Sequence, residues 1–216
     1  MQLFAQSPGL HLNKKEYFEA PGINVMAFQD IYPDGHQGGV SIIQNGVRVA
    51  TNGDIRLDPA PGQWQPMPEQ KARVVDPTTN GISTTLSYPD PTKNRTGFNP
   101  INYPDLNFTY KVRVHGEGAS IHITVDLDKP IPAAFIGKVS FNFELFPNDL
   151  FGKTWYLGSD SGIFPRQAGG PQVRDDSGEV QPAPLAVGPR LSIAPESETQ
   201  RIMVEGSARS DCVPLP

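Results

Sequence analysis

The chain of 216 residues holds one cysteine, Cys212, near its C-terminus. A single cysteine excludes an intramolecular disulfide. A catalytic thiol also needs a positioned base and a formed pocket, and the tail Asp211-Cys212-Val213-Pro214-Leu215-Pro216 offers neither. Basic clusters are missing as well. The net charge is −5, and the densest basic stretches are Lys14-Lys15 and Lys111 with Arg113. A nucleic-acid partner is therefore not expected. No apolar run approaches the roughly 20 residues that span a bilayer, so no membrane partner is expected either. Met1-Gln2-Leu3-Phe4-Ala5 lacks the basic start and apolar segment of a signal peptide. Helical periodicity is also hard to find.

What the chain has in quantity is glycine and proline, 21 and 23 residues. Both interrupt helices. The prolines are dispersed, which excludes collagen and polyproline stalks. Leu, Ile, Val and Phe make up about a quarter of the chain, above the roughly 20% below which chains rarely fold. A folded, turn-rich, all-β protein follows.

Period-two alternation supports this. Tyr110, Val112 and Val114 alternate with Lys111, Arg113 and His115. The Gly116-Glu117-Gly118 turn leads to Ile121, Ile123, Val125 and Leu127, which alternate with Ser120, His122, Thr124 and Asp126. One face is apolar and the other polar, as in an antiparallel pair with one face on a core. Val40 to Gln44 and Val47 onward form a second hairpin about Asn45-Gly46, the strongest two-residue turn signal. Thr51-Asn52-Gly53 is expected to turn again into residues 54–57. Further strands are expected over 24–29, 82–88, 138–145, 154–157, 190–194 and 201–205. Val139, Phe141, Phe143 and Leu145 read as a central strand. Long proline-rich connections cover 58–72, 88–105 and 165–189. The expected architecture is a large antiparallel β-sandwich of two packed sheets and about a dozen strands, with a jelly roll as the alternative. Its expected organisation is an N-terminal extension over 1–16, one sandwich domain over 17–205 and a tail over 206–216.

Motifs for catalysis are mostly absent. There is no His-Glu-x-x-His, P-loop or G-x-G-x-x-G. Gly158-Ser159-Asp160-Ser161-Gly162 places aspartate where a nucleophile elbow needs serine. His36 stands out among four histidines. It lies in a loop with Gly35, Gly38 and Gly39, which lets the backbone fold tightly and present Asp34, His36 and Gln37 together. These are the candidate polar contacts to a ligand. Calcium takes six to eight oxygen ligands. The acidic pairs that could supply them are Asp126 with Asp128, Asp175 with Asp176, and Asp54 with Asp58, none in an EF-hand loop. Asp126 and Asp128 share a strand face roughly 7 Å apart by strand rise and are the candidate metal ligands, with Ca2+ as the possible cofactor. The aromatic residues outside the alternating strands point to sugar. Trp64 lies between prolines, and Trp155 and Tyr156 follow Phe151-Gly152-Lys153-Thr154. A flat ring stacks on a sugar face, so Trp64, Trp155 and Tyr156 are the candidate stacking residues. No catalytic residue is assigned.

Three segments carry a resemblance: 31–64 (IYPDGHQGGVSIIQNGVRVATNGDIRLDPAPGQW), 97–106 (GFNPINYPDL) and 125–171 (VDLDKPIPAAFIGKVSFNFELFPNDLFGKTWYLGSDSGIFPRQAGGP). Together they resemble an N-terminal β-sandwich module found ahead of glycoside hydrolase family 9-like, cellulase-like catalytic regions in bacterial multidomain proteins. The resemblance covers roughly residues 17 to 204. It implies a glycosidase-associated module, truncated and without the catalytic barrel, in a secreted or periplasmic setting. The expected partners are a polysaccharide or oligosaccharide, and a catalytic glycosidase domain. The reading from a different class is a small metal-dependent hydrolase cutting an ester, lactone or glycoside. Its basis is the His36 loop and the aspartate pairs.

Overall fold

A computed structural model describes residues 9–29, 38–57, 66, 68–88, 105–164, 172–174, 180–182 and 186–206. The chain divides into two compact units, Met1–Glu144 and Leu145–Pro216. The division falls inside the span that the sequence reading treats as one domain. Apart from a 3-10 turn at Ala133–Phe135 and one helical turn at Pro147–Leu150, every described regular element is a strand.

In the first unit, β1 (His11–Leu12), β2 (Phe18–Ala20), β3 (Ile23–Ala27), β4 (Val40–Gln44), β5 (Val47–Leu57) and β10 (Val139–Leu145, of which the last residue opens the second unit) form one sheet in that order. A second sheet runs β6 (Glu69–Asp76), β7 (Gly81–Tyr88), β8 (Phe108–Glu117), β9 (Ser120–Leu127). The alternation read from the sequence decides which sides bury. Phe108, Tyr110, Val112 and Val114 of β8 and Ile82, Leu86 and Tyr88 of β7 turn inward. They meet Phe18, Val25, Ala27, Val40 and Ile55 from the other sheet in one core. Each Val, Leu, Ile or Phe side chain among them contributes on the order of 1.5–3 kcal/mol when fully buried. This is the face-to-face sandwich that the alternation predicts.

Local chemistry sets the turns. Asn45 and Gly46 take φ of 51° and 80°, the left-handed pair that matches strand twist in a two-residue hairpin. Thr51-Asn52-Gly53 behaves otherwise. It does not end a strand, because β5 continues through it to Leu57. Val40 faces Gly53 while Ile42 faces Ala50, so β5 carries an extra residue there. Asn52 sits in the left-handed region at φ 54°, as a β-bulge allows. Gly116 also differs from its expected role. It lies within β8, where an added Cβ would stand 2.7 Å from the Leu10 carbonyl oxygen. The turn belongs to Gly118 and Ala119, with Glu117 facing Ser120.

The segment read as an N-terminal extension is integrated from residue 9 onward. Leu10 is buried in the core. Asn80 clamps this segment: its Oδ1 accepts the Leu12 N–H at 2.8 Å, and its Nδ2 donates to the Leu10 and Gly116 carbonyls at 2.8 and 2.7 Å. Among the described strands, the one at 139–145 is outermost in its sheet rather than central. Phe141 and Phe143 pack on the core as partly buried rings, and apolar alternation alone cannot tell an edge from a centre.

In the second unit, β11 (Thr154–Leu157), β12 (Asp160–Ile163), β15 (Arg190–Ile193) and β16 (Ile202–Glu205) form a four-stranded antiparallel sheet, ordered β12-β11-β15-β16. Leu150, Trp155, Leu157, Leu191 and Ile193 make its core. A separate pair joins β13 (Gln172–Arg174) and β14 (Val180–Pro182).

Candidate functional site

The short strand β11 separates the two aromatic residues that the sequence reading groups together. Period two sends Trp155 and Leu157 inward and Tyr156 outward. Trp155 is 9% exposed and Tyr156 49%. The Trp155 indole lies over Gly162 on β12, where any Cβ would come within 3.1 Å of its ring atoms. Trp155 is therefore a core residue of the second unit, and Tyr156 is the ring presented to solvent.

Tyr156 stands in the middle of the outer sheet face. Ser161 of β12 is its cross-strand neighbour on one side and Ser192 of β15 on the other. Met203 of β16 follows Ser192 and is exposed. Neighbouring strands lie about 4.8 Å apart, so a hydroxyl-bearing residue flanks the ring at that spacing on each side. In the adjacent row Ile163 faces Thr154. The Thr154 hydroxyl donates to Glu196 at 2.7–2.8 Å. An exposed ring between two serines offers a stacking surface and short polar groups beside it.

A second cluster occupies one end of the sandwich in the first unit. Asp54 Oδ1 accepts the Tyr110 hydroxyl at 3.0 Å and the Ile55 N–H at 2.8 Å. Tyr88 donates to the Ile55 carbonyl at 3.1 Å and stacks on Tyr110 with centroids 5.6 Å apart. These bonds tie β5 to β7 and β8 across the core. Burial pushes the Asp54 carboxyl from 3.8 up to about 7, against the lowering pull of the Ile55 N–H, the Tyr110 hydroxyl and Arg56. Burial likewise raises both tyrosines, with the Asp54 charge adding to it. Arg56 bonds Glu144 at 2.8 Å. Asn52 donates to the same carboxylate at 2.7 Å and accepts the Gly38 N–H at 3.0 Å.

Asp34, His36, Gln37 and Trp64 lie outside the described residues. Gly38 is bonded to Asn52, the Phe28 N–H donates to the Gly39 carbonyl at 2.8 Å, and Leu57 closes β5.

The aspartates expected to bind metal are engaged by protein donors. Both oxygens of Asp126 are held by Arg113, at 2.7 and 3.0 Å. Asp128 lies beyond the end of β9, and its Oδ1 accepts the Thr109 N–H at 2.9 Å. Among the described residues no group of three His, Cys, Asp or Glu side chains could hold a metal ion. No described helix is long and apolar enough to cross a membrane.

The sequence reading took Asp54, beside Asp58, only as a candidate calcium ligand and not as an acid set against the core, where it stays partly exposed. The signal was Tyr88 and Tyr110 at inward positions of paired strands, whose hydroxyls require a polar partner inside the sandwich. No known protein family, curated protein or solved structure matches the chain.

Proposed function

We propose that the chain is a carbohydrate-associated β-sandwich module of a glycoside hydrolase-like protein, binding glycan through the outer face of the β12-β11-β15-β16 sheet. The observation that carries this reading is Tyr156, exposed at 49% and flanked by Ser161 and Ser192 on the neighbouring strands. Aromatic rings supply large rigid contact area at low entropic cost, and serines beside them suit sugar hydroxyls. The resemblance of 31–64, 97–106 and 125–171 to a module that precedes cellulase-like regions points to the same ligand class. Docking to a catalytic glycosidase domain is the companion role of such a module.

The test is affinity electrophoresis through gels cast with soluble glucans. The wild-type chain is retarded by at least one glucan, and Tyr156→Ala migrates as it does without glycan. A folded protein retarded by none of them contradicts the proposal.

The alternative class, a small hydrolase of an ester, lactone or glycoside, is favoured by one observation. Asp54 holds a carboxyl whose pKa near 7 suits proton transfer at neutral pH. In its metal-dependent form, hydrolysis of nitrophenyl esters or glycosides is abolished by a chelator, restored by a divalent ion and lost in Asp54→Asn. Activity unchanged by the chelator rules out that form.

A further inference from the structure

We propose that the first unit pairs with a second copy of this chain through the β9 edge, forming a twofold dimer in which the β6-β7-β8-β9 sheet continues across both copies. Among the described strands β9 is the outermost of its sheet. The two edges of that sheet are built differently. On the opposite side, β6 has a bulge between Gln70 and Ala72 and carries Glu69, Lys71 and Arg73, devices that discourage edge-to-edge pairing. β9, Ser120–Leu127, has an unbroken register with β8 and contains no lysine, proline or glycine.

The hydrogen-bond phase fixes which groups face outward. The Asp128 N–H donates to the Thr109 carbonyl at 3.0 Å, extending the β8–β9 ladder by one pair. In an antiparallel ladder, residues alternate between pairs that exchange bonds and pairs that do not. The even-numbered residues of β9 therefore aim their backbone groups at β8. Ile121, Ile123, Val125 and Leu127 aim theirs away from it. Their side chains lie toward the sandwich interior, where Ile121, Ile123 and Val125 pack on the core and Leu127 stays 39% exposed.

A twofold axis perpendicular to the sheet keeps inner residues opposite inner ones. With Thr124 on that axis, Ile121 meets Leu127 of the second copy and Ile123 meets its Val125. All four outward-aimed residues of each strand then find partners. On the outer face His122 meets Asp126 of the second copy, twice by symmetry. Arg113 already orients Asp126 with two bonds. His122 reaches Glu117 through Nε2 at 3.2 Å, which uses one ring nitrogen of two. Sliding one step, to put Ile123 on the axis, leaves Leu127 outside the pairing and sets His122 against threonine. The sequence is self-complementary in the first register and less so in the second.

Sedimentation velocity on the full chain tests this. The wild type is expected to dimerise with rising concentration. Thr124→Glu keeps an acceptor beside Arg113 but sets two carboxylates face to face on the axis, weakening the dimer about fivefold or more. In a Cys212→Ser background, Thr124→Cys is expected to form an intermolecular disulfide on mild oxidation, because residues opposed in a pair without hydrogen bonds lie within disulfide reach. Asp126→Cys, which faces His122 instead of itself, is not. A wild type that is monomeric at every concentration overturns the proposal. So does a Thr124→Cys variant that stays uncrosslinked, or crosslinks no faster than Asp126→Cys. The cysteine pair decides the matter even if Thr124→Glu fails to fold.

Discussion

Replacing Asp54 by asparagine probes the energetics of the sandwich directly. In the folded chain the Asp54 carboxyl titrates at about 7, whereas its ordinary value is 3.8. Between these values the folded state holds a proton that the unfolded state has released. Stability therefore falls as pH rises through this window, by up to about 1.4 kcal/mol per pH unit. Over the whole window the ceiling is about 4 kcal/mol. Residual exposure of Asp54 reduces it, so a measured effect of about 2 kcal/mol is the working expectation. The asparagine side chain cannot ionise, yet its amide oxygen can accept the same two bonds from Tyr110 and Ile55. Asp54→Asn should match the wild type near pH 4 and exceed it above pH 7. Asp76 shifts the opposite way, held down by Thr78 and Thr79, but both proteins carry it and it cancels in the difference. The readout must belong to the first unit. Trp155 fluorescence reports the other core, so denaturant-dependent amide exchange in β7 and β8 is the suitable assay. A difference between the two proteins that does not change with pH would refute the reasoning.

Two further substitutions test the packing. Gly53→Ala places a Cβ 2.5 Å from the Phe143 ring and 2.8 Å from the Val40 Cβ. It should cost about 1–3 kcal/mol, read as a lower urea midpoint for the first unit. Trp155→Ala should destabilise the second unit by about 3–5 kcal/mol, read from exchange of the β11 and β15 amides. Tyr156→Ala should leave that exchange within about 0.5 kcal/mol of wild type.

Residues that follow local rules were legible in the sequence. The Asn45-Gly46 turn, the burial side of β8, and the bounds of β11 follow from period-two patterning and two-residue turn chemistry. Glycines misled where their reason is distant. Gly116 is glycine because Leu10, far earlier in the chain, passes close to it, and Gly53 because Phe143 does. Neither contact leaves a local mark, so both read as turns. β6 was missed because Glu69-Gln70-Lys71-Ala72-Arg73 is polar and its bulge breaks the alternation. At the candidate site, Trp155 and Tyr156 looked equivalent as adjacent aromatics. Strand phase separates them, and only Leu157 on the inward side hinted which ring would be buried. The core-facing role of Asp54 was hidden because its side-chain partner, Tyr110, comes from a strand of the other sheet.

The central claim is that the Tyr156 face binds glycan. Its most direct measurement is a titration of isotope-labelled full-length chain with soluble gluco-oligosaccharides, followed by amide and side-chain chemical shifts. The account predicts saturable shifts centred on Tyr156, Ser161, Ser192 and Met203, absent in Tyr156→Ala. Shifts centred elsewhere, or none on any glucan, would contradict it.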